Sequence, residues 1–270
     1  MGRTNVVGHV AGAIAGCLVA TLAQAASVYI EDLTWTEVRD AIAAGKTTAI
    51  VYAGSTEQKG PHMAIGAHNF TAHYVGGRIA EKLGDALVYP ILPYAVTGDP
   101  ARKTGHMRFP GSVSLAPATY RETMREIAAS AVNAGFKEVY LMGDHGGGQD
   151  ELKHAAESLD AEWAAKGVRV RYVPDLYYKA QEHSRKFLGE KHVYAGTHAG
   201  SHDTSELMFI DGSGRWIRRD KLAKSEAAQV PVTGVDGDPT HASAEWGKIF
   251  LDQKIDAAVA QIRELRAARK

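Results

Sequence analysis

The run TTAIVYAG, residues 47–54, is apolar, rich in β-branched residues and closed by a glycine. A short run of that kind reads as a strand buried on both faces. ALVYPILPY (86–94) and EVYLMGD (138–144) repeat the pattern. The prolines of 86–94 predict a frayed end, because proline cannot donate to a strand ladder. VRVRYV (168–173) alternates polar with apolar, which predicts a strand nearer an edge.

Between these runs the apolar positions recur at helical spacing. Trp35 to Ala44 follows Thr34, a good N-cap. Tyr74, Val75, Ile79 and Leu83 mark a helix over 69–83. Tyr120, Met124, Ile127, Ala128, Ala131 and Val132 share one face of 117–134, with Pro117 in the first turn and Gly135 past the end. Leu152, Ala155, Ala156, Leu159 and Trp163 mark the next helix, closed near Gly167, and 241–268 reads as a long C-terminal one. Alternation of strand and helix predicts an α/β fold: one domain, a three-layer sandwich with a mostly parallel sheet.

In such sheets the ligand lies outside the carboxyl ends of the strands. That rule sorts the polar residues. Glu57, Lys59, His62 and His68 follow the 47–54 strand, His106 lies after the 86–94 strand, and His145 with Gly146 and Gly147 follows the 138–144 strand. Three loops thus carry titratable groups to one edge.

Composition narrows the function. The formal net charge of the 270 residues is zero, which disfavours nucleic acid or an anionic membrane surface as a partner. Arg3, the apolar stretch Val6 to Leu22 and Ala23-Gln24-Ala25 have the pattern of a secretory signal peptide, with cleavage expected near Ala25/Ala26 and a periplasmic or secreted mature protein over 26–270. Ile14-Ala15-Gly16-Cys17 resembles a lipoprotein box, a weaker match because the apolar run continues past it. No stable membrane span is expected after cleavage. Cys17 is the sole cysteine, so a mature chain would have neither disulfide nor thiolate, and any metal site would use His, Asp and Glu.

MGDHGGGQDEL (142–152) is a strand, a glycine-rich turn and a helix start, a place where backbone can approach a ligand. No Gly-Lys-Ser/Thr follows it, and G-x-G-x-x-G, G-x-S-x-G and H-E-x-x-H are absent. GTHAGSHDTSELMFID (196–211) adds His198, His202 and Asp203 before a helix that Asp203 or Thr204 could cap.

The segments GSTEQKGPHMAIGAH, FPGSVSL, MGDHGGG and HAGSHDTS, taken in order, resemble the creatininase (creatinine amidohydrolase) family. The resemblance implies the creatininase-like fold, metal-dependent hydrolysis of a small amide or cyclic amide, and a homo-oligomer, often a hexamer. It also implies site residues. Glu57 matches the first metal-ligating glutamate, His145 the histidine of the glycine loop, and His198 the histidine of H-A-G. The histidine two beyond the glutamate is Lys59 here, the aspartate bridging two metals is His68, the acidic residue after the loop histidine is Gly147, the Asn before that histidine is Asp144, and the late glutamate is Asp203.

These departures predict one divalent ion, held by Glu57, His68 and His145; zinc suits the set first, and manganese or iron also fits. Lys59 would supply charge where the family has a second ion. His198 is the expected acid–base group, with Asp203 as a further ligand or as an orienting carboxylate. His106 and Arg108, in GDPARKTGHMRFPG, are expected to face substrate, with the Gly146 and Gly147 backbone beside them; Asp99 and Arg102 share that loop. The competing reading is a non-catalytic relative that binds a small molecule in the same cleft with a degraded metal site.

Overall fold

The computed structural model describes residues 1–2 and 27–268. The expected signal peptide, its cleavage point and Cys17 lie outside the described residues. No described helix is long and apolar enough to cross a membrane.

Four parallel strands form the sheet: β1 (Thr48–Ala53), β2 (Ala86–Val88), β3 (Glu138–Gly143) and β4 (Arg169–Tyr172), in the order β2-β1-β3-β4. The helices are α1 (Trp35–Ala43), α2 (Ala67–Leu83), α3 (Pro117–Ala134), α4 (Gln149–Trp163), α5 (Asp175–Glu190), α6 (Ser201–Ile210), the short α7 (Val230–Thr233) and α8 (Ala244–Ala267). β4 is an edge strand, as its alternating pattern predicts. β2 stops at Val88, ahead of Pro90 and Pro93, and the chain beyond it stays tied to β1 through the Tyr89 N–H to the Ile50 carbonyl and a bridge from Leu92 to Ala53.

Strand periodicity divides the core into two layers. Ala49 and Val51 of β1 and Val139 and Leu141 of β3 point toward α3 and α4, meeting Met124, Ala128, Leu152 and Ala155. Ile50 and Tyr52 with Tyr140 and Met142 point the other way, against Val75 and Ile79 of α2 and Leu251 and Ile255 of α8. Both faces are covered, so β1 is buried along its whole length.

The strand order positions the site. From β1 the chain moves outward to β2, then crosses back to place β3 on the other side of β1. The carboxyl ends of β1 and β3 are therefore neighbours at a switch point, with Ala53 in register with Gly143. The segments leaving those two ends carry Glu57 and His145.

Candidate active site

Glu57 is the hub of the site and is fully buried. Its Oε2 lies 2.8 Å from His145 Nε2, 3.2 Å from Ser55 Oγ and 3.6 Å from His106 Nε2. Its Oε1 lies 3.1 Å from His68 Nε2, 3.4 Å from Lys59 Nζ and 3.8 Å from His198 Nδ1. Burial pushes the carboxyl up, but His145 and Lys59 outweigh it and hold Glu57 well below the usual carboxylate range.

Lys59 is no solvated loop lysine. It is buried, with Nζ donating to Asp203 Oδ2 at 3.0 Å. Burial works against its charge; Asp203 and Glu57 outweigh it and raise its pKa, so it stays an ammonium. Asp203 also accepts the Ala199 N–H at 2.8 Å, and the burial that would raise its carboxyl is overridden chiefly by Lys59, which holds it low.

His198 donates from Nε2 to the Gln58 carbonyl at 2.9 Å, which leaves Nδ1 with its lone pair beside Glu57. Burial, reinforced by Lys59, lowers its pKa to about 3. It is therefore a neutral imidazole with a fixed tautomer.

The third metal-type histidine differs from the sequence expectation. The ligand atoms of Glu57, His106 and His145 all lie within 4.8 Å of one another. Two ligands of one tetrahedral ion at ~2.1 Å stand roughly 3.4 Å apart, a value that the 2.8 and 3.6 Å contacts on Oε2 bracket. His106 reaches this place because its loop folds back over the segment after β1. The His106 N–H donates to Thr97 O at 3.1 Å, Val113 N–H to Thr56 O at 2.9 Å, and Gln58 N–H to Ser112 Oγ at 3.0 Å. That return is a tertiary event with no periodic signal. His68, expected as the third ligand, lies on the Oε1 side, clamped between Glu57 and Asp144, whose Oδ2 is 2.7 Å from its Nδ1. Burial and Lys59 work against a charge on His68, but the two carboxylates win and raise its pKa to about 9.

The donors around the rings decide what each can ligate. His145 Nδ1 faces both the Gly147 carbonyl, at 3.1 Å, and the Gly147 N–H, at 3.0 Å; the carbonyl accepts a proton carried on Nδ1, the tautomer that leaves Nε2 free, whereas the N–H pairs with the other tautomer. His106 Nδ1 faces Gln58 Nε2 at 3.0 Å, while Gln58 Oε1 accepts Gly60 N–H at 2.9 Å. Ligation through His106 Nε2 therefore requires the Gln58 carboxamide to turn over. With that one change the Glu/His/His set suits a divalent ion.

Gly147 has no room for the acidic side chain that the resemblance places there. A Cβ at this position would collide with the Val96 carbonyl oxygen and approach the His145 ring to 3.0 Å. Gly146 lines the cavity, and a Cβ there would stand 2.5 Å from Tyr177 Oη. Arg108 and His106 also line this cavity, which measures about 470 Å³, a small-molecule size. His62 instead serves the scaffold: it is buried, bonds Thr204 Oγ1 at 3.1 Å, and is lowered by burial to about 4.

Sequence reasoning missed the support behind His68. Asp144 Oδ1 accepts from Tyr52 Oη and from Lys254 Nζ, both at 3.0 Å. Lys254, buried on α8, also donates to Glu206 Oε2 at 3.0 Å, and Glu206 meets His202 at 3.2 Å. The signal was present: Lys254 falls on the apolar face of α8, among Phe250, Leu251, Ala257 and Ala258. A lysine in that stripe needs a buried partner.

A buried carboxylate ringed by imidazoles, at the carboxyl edge of a parallel sheet, is the donor arrangement of metal-dependent hydrolases. The creatininase (creatinine amidohydrolase) family model matches residues 31–262, and the chain belongs to that family. Creatinine amidohydrolase of Pseudomonas putida is 34% identical over 88% of this chain and 97% of its own length. The mycofactocin precursor peptide peptidase of Mycolicibacterium smegmatis is 28% identical over 79% and 83%. A crystal structure of creatinine amidohydrolase (creatininase) shares the fold with a TM-score of 0.70 at 23% identity, covering 88% of this chain and 97% of that one. A structure named "Creatininase Mn" superposes with a TM-score of 0.69 at 24% identity, over 88% and 98%. Both named relatives are hydrolases of C–N bonds.

Proposed function

We infer that this protein is a metal-dependent amidohydrolase of a small amide or lactam, using a single divalent ion held by Glu57, His106 and His145. The observation that carries the reading is the convergence of those three ligand atoms on one side of a buried carboxylate, at the floor of a small-molecule cavity. Zinc is the first candidate, with manganese or iron next.

When bound, the ion supplies Lewis acidity toward the amide carbonyl and toward water. The chain's own groups do the rest. His198 Nδ1, unprotonated and fixed by the Gln58 carbonyl, takes the proton of the attacking water and returns it to the leaving nitrogen. Lys59 keeps an ammonium between Glu57 and Asp203, where it offsets negative charge developing on the substrate. Asp203 holds that ammonium in place. His68 and Asp144 fix the other oxygen of Glu57.

The Lys59 ammonium takes the place of the second ion of the family pattern, and Gly147 lacks the carboxylate that the pattern offers that ion after the loop histidine. The signal-peptide pattern supports action in the periplasm or outside the cell, and the family resemblance supports a homo-oligomer. N-terminal sequencing of the mature protein and light scattering test those two points.

The test of the main reading has two parts. Protein purified without chelator should carry one divalent ion per chain. It should hydrolyse at least one member of a panel of lactams, cyclic ureides and formamides, lose that activity to a chelator, and regain it on adding metal. Two tightly bound ions per chain would overturn the single-ion site. One bound ion with no turnover across the panel would favour the non-catalytic binding protein.

A further inference from the structure

Most charged groups lining the cavity are already spent on one another. Lys59 is held by Asp203 and Glu57, and Glu57 is also gripped by His68. Arg108 is different. It lines the same cavity, is exposed, and makes no ion pair or hydrogen bond through its guanidinium among the described residues. The other basic residues of its loop do not compete for this role. Arg102 pairs with Asp99 at 3.1 Å, and Lys103 does not line the cavity.

An arginine left free at the wall of a small cavity is a standing offer to an anion. Its planar fork matches a carboxylate with two parallel N–H donors. The cavity's own carboxylates, Glu57 and Asp203, both pair with the buried Lys59 ammonium, which weakens their repulsion of such a guest. Tyr177 also lines the cavity, and its hydroxyl has no hydrogen-bond partner among the described residues. Its donor is thus unspent as well. Ala227, Val230 and Pro231 complete the lining with apolar surface.

We propose that Arg108 is the specificity-determining residue of this site and that the substrate is a small amide or lactam bearing a carboxylate, which Arg108 binds while the amide lies at Glu57. This rests on the amidohydrolase reading for its amide, but the carboxylate subsite can be tested by binding alone.

The probes are paired acids and neutral amides of the same ring: pyroglutamate with pyroglutamide, and hydantoin-5-acetate with its carboxamide. Titration calorimetry on the metal-loaded full chain should show at least one acid binding on the order of ten-fold tighter than its neutral partner at low salt, with the margin shrinking as salt rises. Arg108→Gln should abolish the margin without changing metal content, and Arg108→Lys should restore part of it. Equal affinity of acid and amide in both pairs, no detectable binding of any probe, or a margin unchanged in Arg108→Gln would each overturn the proposal. An acid preference without turnover would sink the hydrolase reading and leave the subsite standing. Turnover of acid and neutral probes with equal kcat/KM would do the opposite.

Discussion

Lys254→Met is the sharpest perturbation of the scaffold behind the site. Methionine nearly matches lysine in length, so the change removes charge rather than volume. Lys254 is buried and is the cation for two buried carboxylates, Asp144 and Glu206, each at 3.0 Å. Removing one partner of a buried ion pair typically costs about 3–5 kcal/mol, because the other charge is left without compensation. His68 and His202 still contact the two carboxylates, so the lower half of that range is expected. For a domain of this size each kcal/mol lowers Tm by roughly 2–4 °C, which gives a fall of about 6–16 °C. Thermal and urea denaturation followed by circular dichroism at pH 7 measure it. The triple variant Lys254→Met/Asp144→Asn/Glu206→Gln, which removes the orphaned charges, should recover most of the loss. The same loosening should reach the metal, because Asp144 aligns His68, which in turn grips Glu57. Removing such outer partners costs on the order of 10-fold in metal affinity. A Lys254→Met protein with wild-type Tm and wild-type metal affinity would refute the whole chain from α8 to Glu57.

Three further outcomes follow from the geometry. His198→Ala should lower the rate by on the order of 10²–10⁴-fold with metal content unchanged; full activity in that variant would pass the proton-transfer role to another group. Gln58→Glu should tighten metal binding by about 10-fold in a competition assay with a fluorescent chelator, because a carboxylate accepts the His106 Nδ1–H without turning over; an unchanged affinity would place His106 outside the metal site. The metal-free protein should have its highest Tm at about pH 7. Burial lowers His62 and His106 to about 4 and His198 to about 3, so the unfolded chain binds more protons and stability is lost as pH falls below the ordinary histidine range. His68, held at about 9 despite burial and Lys59 by Asp144 and Glu57, contributes fully below its unfolded value and loses that contribution as pH rises through 9. Three imidazoles act on the acid side against one on the alkaline side, so the acid limb should be steeper; a flat Tm from pH 5 to 9 would contradict these assignments.

The legible parts of the molecule were those governed by local pattern. β1 and β3 announce themselves because both faces are buried, and the parallel rule then places Glu57 and His145 at one edge before any contact is known. α5 left no such trace: its buried stripe is Leu176, Ala180, Ser184 and Leu188, half of it small or polar. The approach of His106 to Glu57 and the pairing of Lys254 were hidden for a different reason. Their partners are 49 and 110 residues away in the chain, Glu57 for the first and Asp144 for the second, and no local spacing encodes such a meeting. The Gly147 change was visible as a lost carboxylate, but only the Val96 carbonyl filling that space shows why restoring a side chain there would strain the loop.

The most direct test of the account is anomalous diffraction from crystals of the metal-loaded protein, recorded above and below the absorption edge of the bound ion. The account predicts one anomalous peak per chain on the Oε2 side of Glu57, within bonding distance of His106 and His145, with Lys59 Nζ still between Glu57 and Asp203 and no second peak there. A peak on the Oε1 side bonded to His68 with His106 turned away, or a second ion in place of the Lys59 ammonium, would contradict it.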